Sequence, residues 1–435
     1  MQVYLFDEFD PETSAMLQAL YSRSSRSVVE HVQKVREKGP DQFMASYYVG
    51  YGHASIGDCG VTTLYLEDVS LLACKAIQDS QLYSGQETST RYIDFSKQRV
   101  QDPLESERSA AYQQRWISYY VELFGALVGE MKERFPFKDG SQKTWEKAIS
   151  ARALDVARAF LPAGVTSQLS WTTNLRQAHE HIFRLEAHPL PEVRALAAEC
   201  RRVLTDKYAN SFSHQIDEAQ LEYQRIVGQS EVYLPPAGPA HSAKFEVTTD
   251  ADNSRLEREA LTLIAKRPRK ALLPKSLGRF GSYVCRFELD FGSFRDLQRH
   301  RGGLCRMPLL TTKLGFNPWY FEQMSPALRA KSEQFLSSQM AEFEILARSC
   351  TPEEQQYYVP IGMNVACELI YDLPEMVYVS ELRSGRTVHP TLRIVAQKMA
   401  AFLSARHPRL ALFADMSEGE FSVKRGTQDI EERVA

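Results

Sequence analysis

The hydrophobic and polar positions of this chain run through one order twice. Val61–Tyr65 and Ser282–Phe287 are short β-branched or aromatic runs, and each predicts a strand. A segment with helical spacing follows each run, Val69–Ile77 in the first case and Gly292–Leu297 in the second, and leads into a polar loop rich in arginine or serine. Long charged stretches come next, Ser106–Phe135 and Pro326–Ser349, and their spacing predicts helices. Each part then has a proline entry, Leu161-Pro162 and Val359-Pro360, followed by a further helix. That helix closes on an Arg-and-His segment, Arg184 to His188 and Arg383 to His389. Arg184 and His188, four apart, share a face if the helix persists that far. Such internal similarity predicts two related parts.

The break between them is compositional. Leu234-Pro235-Pro236-Ala237-Gly238-Pro239-Ala240 places three prolines in five positions, and a polar stretch runs from Thr248 to Ser254. Prolines fix φ and remove donors, so residues 231–250 read as a linker between a first part, 1–230, and a second, 251–435. The charged tail after Asp415 predicts a frayed end. The basic run Lys266-Arg-Pro-Arg-Lys270 reads as a solvated loop rather than a targeting signal.

Composition narrows the class. With 43% hydrophobic and 25% charged residues, a chain of 435 can bury a large core. A net charge of −3 gives no global basic field for nucleic acid, yet leaves room for a local arginine cluster that binds a small anion. The seven cysteines, an odd number with no Cys-x-x-Cys pair, argue against a disulfide framework and a cysteine zinc site. No metal is expected. Met1 to Asp10 carries three acids and no base, unlike a signal peptide, and no run of 18 apolar residues predicts a membrane span. A reduced, cytoplasmic protein is the expectation.

Several short segments could carry chemistry. Ser84-Gly-Gln86-Glu87-Thr-Ser89-Thr-Arg91-Tyr92 crowds hydroxyls, a carboxylate and a guanidinium into one loop, a set able to hold a phosphate while facing a ring. Alone it is an ordinary polar loop. Gln298-Arg299-His300-Arg301-Gly302-Gly303 has two cations flanking a histidine, with glycines that would let backbone N–H groups approach a diphosphate. Alone it is a basic turn. His53 and Ser55 in Gly52-His53-Ala54-Ser55, and Arg158 ahead of Leu161-Pro162, read singly as structural and surface residues.

Taken in order, these pieces change meaning. Gly52-His53-Ala54-Ser55, the loop Ser84 to Tyr92, Ala157-Arg158-Ala-Phe-Leu161-Pro162, Asn174-Leu-Arg176 and Arg184 to His188 resemble the flavin-dependent thymidylate synthases over most of residues 40–200. The family's hallmark is Arg-His-Arg, then Ser seven residues on, with Arg-Tyr two places later. The first part has Asp79-Ser80-Gln81 where Arg-His-Arg belongs but keeps Glu87, Ser89, Arg91 and Tyr92. The second keeps Arg299-His300-Arg301 but has Leu309 and Thr311-Thr312 at the later positions, Leu273 near the expected histidine, and Gln356 for the arginine before the proline. The losses are complementary.

The resemblance implies an α+β fold in two tandem copies, each a twisted, mainly antiparallel sheet with helices, forming a pseudo-dimer. Two chains would pair to imitate the family's tetramer. It implies that His53, Ser55, Asn174, His188, Arg299, His300 and Arg301 contact flavin adenine dinucleotide (FAD). Ser89, Arg91, Arg158 and Arg184 would hold a pyrimidine nucleotide, with Glu87 near the base and Arg184 stabilising charge on the ring. The implied reaction is reductive methylation of dUMP to dTMP, with methylenetetrahydrofolate as carbon donor and NADPH as reductant. Two other readings stay open: flavin-dependent one-carbon transfer to another pyrimidine nucleotide, and a flavin- or nucleotide-binding homologue without turnover. The family's glutamine three places before Arg-His-Arg is Ala76 in the first part and Asp296 in the second, and a carboxylate there is unfavourable beside an anion unless it is solvated or hydrogen-bonded.

Overall fold

The computed structural model describes residues 6, 8–50, 53–213, 217–235, 245–419 and 421–427. Gly52, residues 236–244 of the proline-rich linker and the last eight residues lie outside them. Helices and sheet are mixed, and the class is α+β. No helix among the described residues is long and apolar enough to cross a membrane.

The chain forms two compact units. The first gathers residues 1–67, 82–87 and 168–232; the second gathers 68–81, 88–167 and 233–435. In the first unit, helices Pro11–Tyr21 and Val28–Lys38 are N-capped by Asp10 and Ser27, whose side chains accept from orphan amides of the first turn. Met16, Leu17, Val32 and Val35 are their shared core, with Phe9, Leu20 and Phe43 packed against it. In the second unit, four strands pair in the order β3 (Phe245–Thr249), β4 (Ser282–Asp290), β6 (Asn364–Asp372) and β5 (Leu304–Arg306), every pair antiparallel. On β4 the period-2 pattern buries Tyr283, Cys285, Phe287 and Leu289, and β6 answers with Val365, Cys367, Leu369 and Tyr371. A separate pair joins β1 (Val61–Ser70) and β2 (Thr166–Asn174).

Several expected elements form where the pattern puts them. The first long stretch is helix Glu107–Arg134, capped by Ser106, and the second is helix Pro326–Leu346, capped by Ser325. β1 and β4 each run into a short helix, Leu71–Gln78 capped by Ser70 and Phe291–Leu297 capped by Asp290. The proline entries differ from the expectation. Each leads first into a strand, β2 or β6, and only then into helix Leu175–Leu185 or Leu373–Arg383. Alternation in Thr166-Ser-Gln-Leu-Ser-Trp-Thr-Thr-Asn174 carries that strand, but its buried positions include threonine and serine, which hides the period. Helix Leu175–Leu185 also stops short of His188, because the residue before Pro189 avoids helical geometry; Arg184 and His188 therefore share no helix face.

Two other expectations are corrected. The described part of the tail packs: Phe421 stacks on Phe135, with ring centroids 4.4 Å apart, and the turn Val423–Thr427 buries Arg425. Gly426 is required there, since a Cβ would lie 1.9 Å from the Thr144 carbonyl oxygen. In the basic run, Arg267 is buried rather than solvated; it pairs with Glu381 and donates to the Ala271 and Ala411 carbonyls.

The backbone repeats itself at the level of single hydrogen bonds. Leu71 donates to the Val165 carbonyl and Phe291 to that of Met363, at 3.1 and 3.0 Å. Gln101 donates to Gly164 and Asn317 to Gly362, both at 2.9 Å. The two proline entries face each other: Ala163 donates to Val359 at 2.8 Å and Ile361 to Leu161 at 2.9 Å, around the Pro162–Pro360 bridge.

Candidate functional site

A buried polar cluster in the second unit is built around Asp155. This residue lies in the last turn of helix Gln142–Ala157 and is fully buried. Its Oδ1 accepts from Arg91 Nε at 2.7 Å and from Arg425 Nη2 at 3.2 Å, and its Oδ2 accepts from Arg91 Nη2 at 3.4 Å and from Arg425 Nη1. Burial alone would raise this carboxyl, but the charges of Arg425 and Arg91 override it and hold it well below the ordinary carboxylate range. Arg91 Nη2 also donates to the Thr387 carbonyl at 3.1 Å.

Arg158 stands one turn on, where the helix tightens into the 3-10 turn Arg158–Phe160 ahead of Leu161-Pro162. It is 2% exposed, so it is no surface residue. Nη1 donates to Thr90 Oγ1 at 3.3 Å and Nη2 to Ser293 Oγ at 3.1 Å; Nε is buried without a hydrogen-bond partner. Among the described residues no carboxylate forms an ion pair with it. A buried guanidinium held by two neutral hydroxyls is poised for an anion.

The neighbouring histidine has one consistent tautomer. The Asp155 carbonyl can only accept, so His389 Nε2, 3.1 Å away, carries the proton. Its Nδ1 then accepts, and Ser293 Oγ lies 3.1 Å from it. Thr391 Oγ1 spends its proton on Asp290 Oδ2 at 2.6 Å, and Tyr320 donates to Asp290 Oδ1 at 2.7 Å. Burial, with Arg158 and Arg91 close by, pushes His389 well below the usual histidine range and keeps it neutral.

The Arg-His-Arg segment belongs to the same electrostatic neighbourhood. Burial would raise the Asp296 carboxyl, but Arg383, Arg299, Arg91 and Arg158 together hold it well below its ordinary range. Arg299 Nη2 donates to Asp296 at 2.7 Å, which answers the unfavourable carboxylate at this position: it is paired. His300 is buried, and its Nε2 accepts from Arg383 Nε at 2.8 Å, so the ring proton sits on Nδ1. Burial and the charge of Arg383 lower it to about 3, and it is neutral near pH 7. Arg301 is exposed.

The two glycines after Arg301 have a different reason from the one the sequence offers. A Cβ on Gly302 would lie 1.9 Å from Glu375 Oε2, and one on Gly303 would lie 2.3 Å from the Ile370 carbonyl oxygen. Close packing against helix Leu373–Arg383 and strand β6 requires them.

The other predicted residues fall in the first unit. His53 and Ser55 are exposed at the short helix Ala54–Gly57. Asn174 caps helix Leu175–Leu185 by accepting from the Gln177 amide at 2.8 Å. Arg184 is exposed in that helix's last turn, and His188 is buried with Nδ1 accepting from the Leu190 amide at 3.1 Å. Glu87 bridges to Leu169 and is half-buried. Ser89 lies in the second unit, where its Oγ accepts from the Arg91 amide at 3.3 Å. Thus Ser89, Arg91, Arg158, Arg299, His300 and Arg301 share one unit, while His53, Ser55, Glu87, Asn174, Arg184 and His188 share the other.

The position that the sequence pattern aligns with Arg158 in the second part, Gln356, is neutral and satisfied. Its Oε1 accepts from the Leu310 amide at 2.9 Å, and its Nε2 donates to Tyr233 and the Glu353 carbonyl, each at 3.1 Å. Sequence reasoning missed Asp155, Arg425 and Asp290, and passed over Arg383 and His389 although it marked their segment. Asp155 had one available signal: a carboxylate in an otherwise apolar last turn, Ala153-Leu-Asp-Val-Ala157, all buried. Among the described residues no group of three or more His, Cys, Asp or Glu is placed to hold a metal ion.

The fold and the cluster define an α+β protein with an arginine-rich interior suited to an anionic small molecule. Residues 4–208, just under half of the chain, match the family model described as thymidylate synthase complementing protein, the family its motif order resembles. The UPF0159 protein of Chlamydia muridarum is 26% identical over 429 residues, covering 85% of this chain and 80% of its own. That of Chlamydia pneumoniae is 25% identical over 422 residues, covering 83% and 78%. One from Thermoplasma acidophilum is 23% identical over 493 residues, covering 96% and 98%. These matches extend well beyond residue 208, so the second part is shared with these relatives as well as the first.

Proposed function

We infer that the chain is a tandem duplication of the synthase fold and that it methylates a pyrimidine deoxynucleotide, dUMP to dTMP, with FAD, methylenetetrahydrofolate and NADPH. The paired backbone hydrogen bonds support the duplication. So does the bond between two matched side chains, Gln298 Nε2 donating to Gln78 Oε1 at 2.9 Å. Duplication explains why only one copy keeps Arg158 while the other has a satisfied glutamine.

The observation that carries the reading is Arg158, buried without a carboxylate beside Arg91. A phosphate monoester carries nearly two negative charges near pH 7. Arg91, Arg158, Arg299, Arg383 and Arg425 stand against Asp155, Asp290 and Asp296, so positive charge is in excess among these groups. The nucleotide's phosphate would meet Arg158 Nε and Arg91, with Ser89 and Thr90 at the same loop. The donor set of the Arg-His-Arg segment also fits an anion: Arg299, Arg301 and Arg383 outnumber Asp296, and they would hold the diphosphate of FAD. His300, neutral and fixed by Arg383, adds a ring N–H without a further charge. When bound, the flavin supplies the hydride. The protein's part is to bind, orient and exclude water. We assign charge stabilisation on the ring to Arg184.

One observation favours a second substrate within the same chemistry. Asp296 stays ionised in the field of Arg383, Arg299, Arg91 and Arg158, and an ionised carboxylate there would suit a pyrimidine that presents an extra donor. Expression in a thymidine auxotroph separates the readings. Growth without thymidine supports dUMP methylation. A yellow, flavin-binding protein that gives no growth supports the other pyrimidine, and a colourless protein that binds no nucleotide removes both.

A further inference from the structure

The turn Val423–Thr427 brings a second guanidinium to a carboxylate that one would neutralise. Arg425 is 4% exposed and spans both oxygens of Asp155, while Arg91 shares them from the other side. Its guanidinium also lies over the Tyr92 ring, 5.3 Å from the centroid, next in sequence to Arg91. The bonds of Arg91 use Nε and Nη2, leaving Nη1 with no hydrogen-bond partner among the described residues. Without Arg425, the charge of Arg91 would be spent on Asp155. With Arg425 in place, the three groups together keep one positive charge and a spare donor beside Arg158. Burying that surplus is costly unless an anion answers it. A purely structural tail would dock as well through Phe421 on Phe135 and the close approach of Gly426 to Thr144, neither of which needs a cation.

We propose that Arg425 is a positioning residue of the nucleotide site: it takes up Asp155 so that Arg91 is left charged and available to the phosphate of a nucleoside monophosphate. The proposal rests on the nucleotide reading above and adds to it a residue outside the matched family segment, 4–208.

The test compares dUMP with deoxyuridine, which has the same base and sugar but no phosphate, by calorimetric titration of the full-length protein. Arg425→Gln is expected to weaken dUMP by roughly ten-fold or more, the scale of one charge-assisted contact, and to leave deoxyuridine unchanged. The double variant Asp155→Asn with Arg425→Gln removes one charge of each sign and is expected to recover most of the lost dUMP affinity. A purely structural tail would make the double variant bind no better than the single one. Loss of both ligands in Arg425→Gln without recovery in the double variant overturns the proposal, as does dUMP affinity within two-fold of wild type. If the wild-type protein binds no nucleoside monophosphate, the nucleotide reading itself fails, and this proposal goes with it. Arg425→Lys, which keeps the charge but not the fork, supports the proposal if its dUMP affinity lies between those of wild type and Arg425→Gln.

Discussion

Arg158 is where stability and binding should part company. A buried cation without a counter-charge strains the empty protein, so Arg158→Gln is expected to leave the melting temperature unchanged or higher while weakening dUMP by roughly ten- to a hundred-fold. A melting temperature lowered by more than about ten degrees, with nucleotide binding intact, would make the arginine structural. The buried histidines set the pH dependence. His300, His389 and His407 are all pushed below the ordinary histidine range, with His300 at about 3 and His407 at about 4, burial being the first cause in each case. A histidine depressed by folding stabilises the folded state above its unfolded value, and that contribution fades as pH drops below it. Stability should therefore decline from about pH 6.5 downward, by about 1.4 kcal/mol per pH unit for each such histidine until its folded value is reached. Asp155, depressed like the histidines but from a lower starting point, adds its loss only in stronger acid. Urea midpoints at pH 7, 6 and 5 check this, and a flat profile would contradict it. At this scale the sequence was partly legible. Arg91, Arg158 and the Arg-His-Arg segment could be picked out because arginines beside hydroxyls and glycines form a recognisable vocabulary. Arg425 could not, since it sits inside a charged tail, and Asp155 offered only the weak signal of one carboxylate within an apolar helix turn.

Strands and short helices meet where a single side chain serves both. Asp290 ends β4, caps Phe291–Leu297 through the Ser293 amide at 2.9 Å, and accepts from Tyr320 and Thr391. Asp290→Asn keeps part of the cap and loses charge. Asp290→Ala loses the cap and leaves the buried Tyr320 hydroxyl unsatisfied, while Thr391 keeps Ser293 and His389 within reach; together this should cost about 2–4 kcal/mol in chemical denaturation. The loop beyond that helix sets a contrast between neighbours. Gly302→Ala meets the end of a flexible glutamate, whereas Gly303→Ala meets strand backbone, so the second should destabilise more, by about 1–3 kcal/mol against the smaller loss of the first. Equal midpoints for the two variants would show that the strand yields. The long helices were legible because Ser106 and Ser325 cap clean periodic stretches. β2 and β6 were not, because the proline entry looks like a helix start, and in β2 the following alternation also puts threonine and serine on its buried face.

Across the whole chain, the predicted residues divide between two compact units, and Arg184 is the one in the first unit to which a chemical role is assigned. Arg184→Ala should bind flavin normally, as judged by absorbance, yet lose turnover of dUMP; full turnover would remove Arg184 from the mechanism. The division was not legible from the linker, because residues 88–167 join the same unit as the segments that follow the prolines. Chain order and spatial membership are different properties, and only the first is visible in composition. The reciprocal bonds around Pro162 and Pro360 bear on how such a gene can change. Each segment is the template against which the other is read, so a substitution on one side is screened by its opposite number rather than by solvent. Grafting one of these two segments from a relative should fail where grafting both together succeeds, and drift at the two loci should be correlated across the lineage.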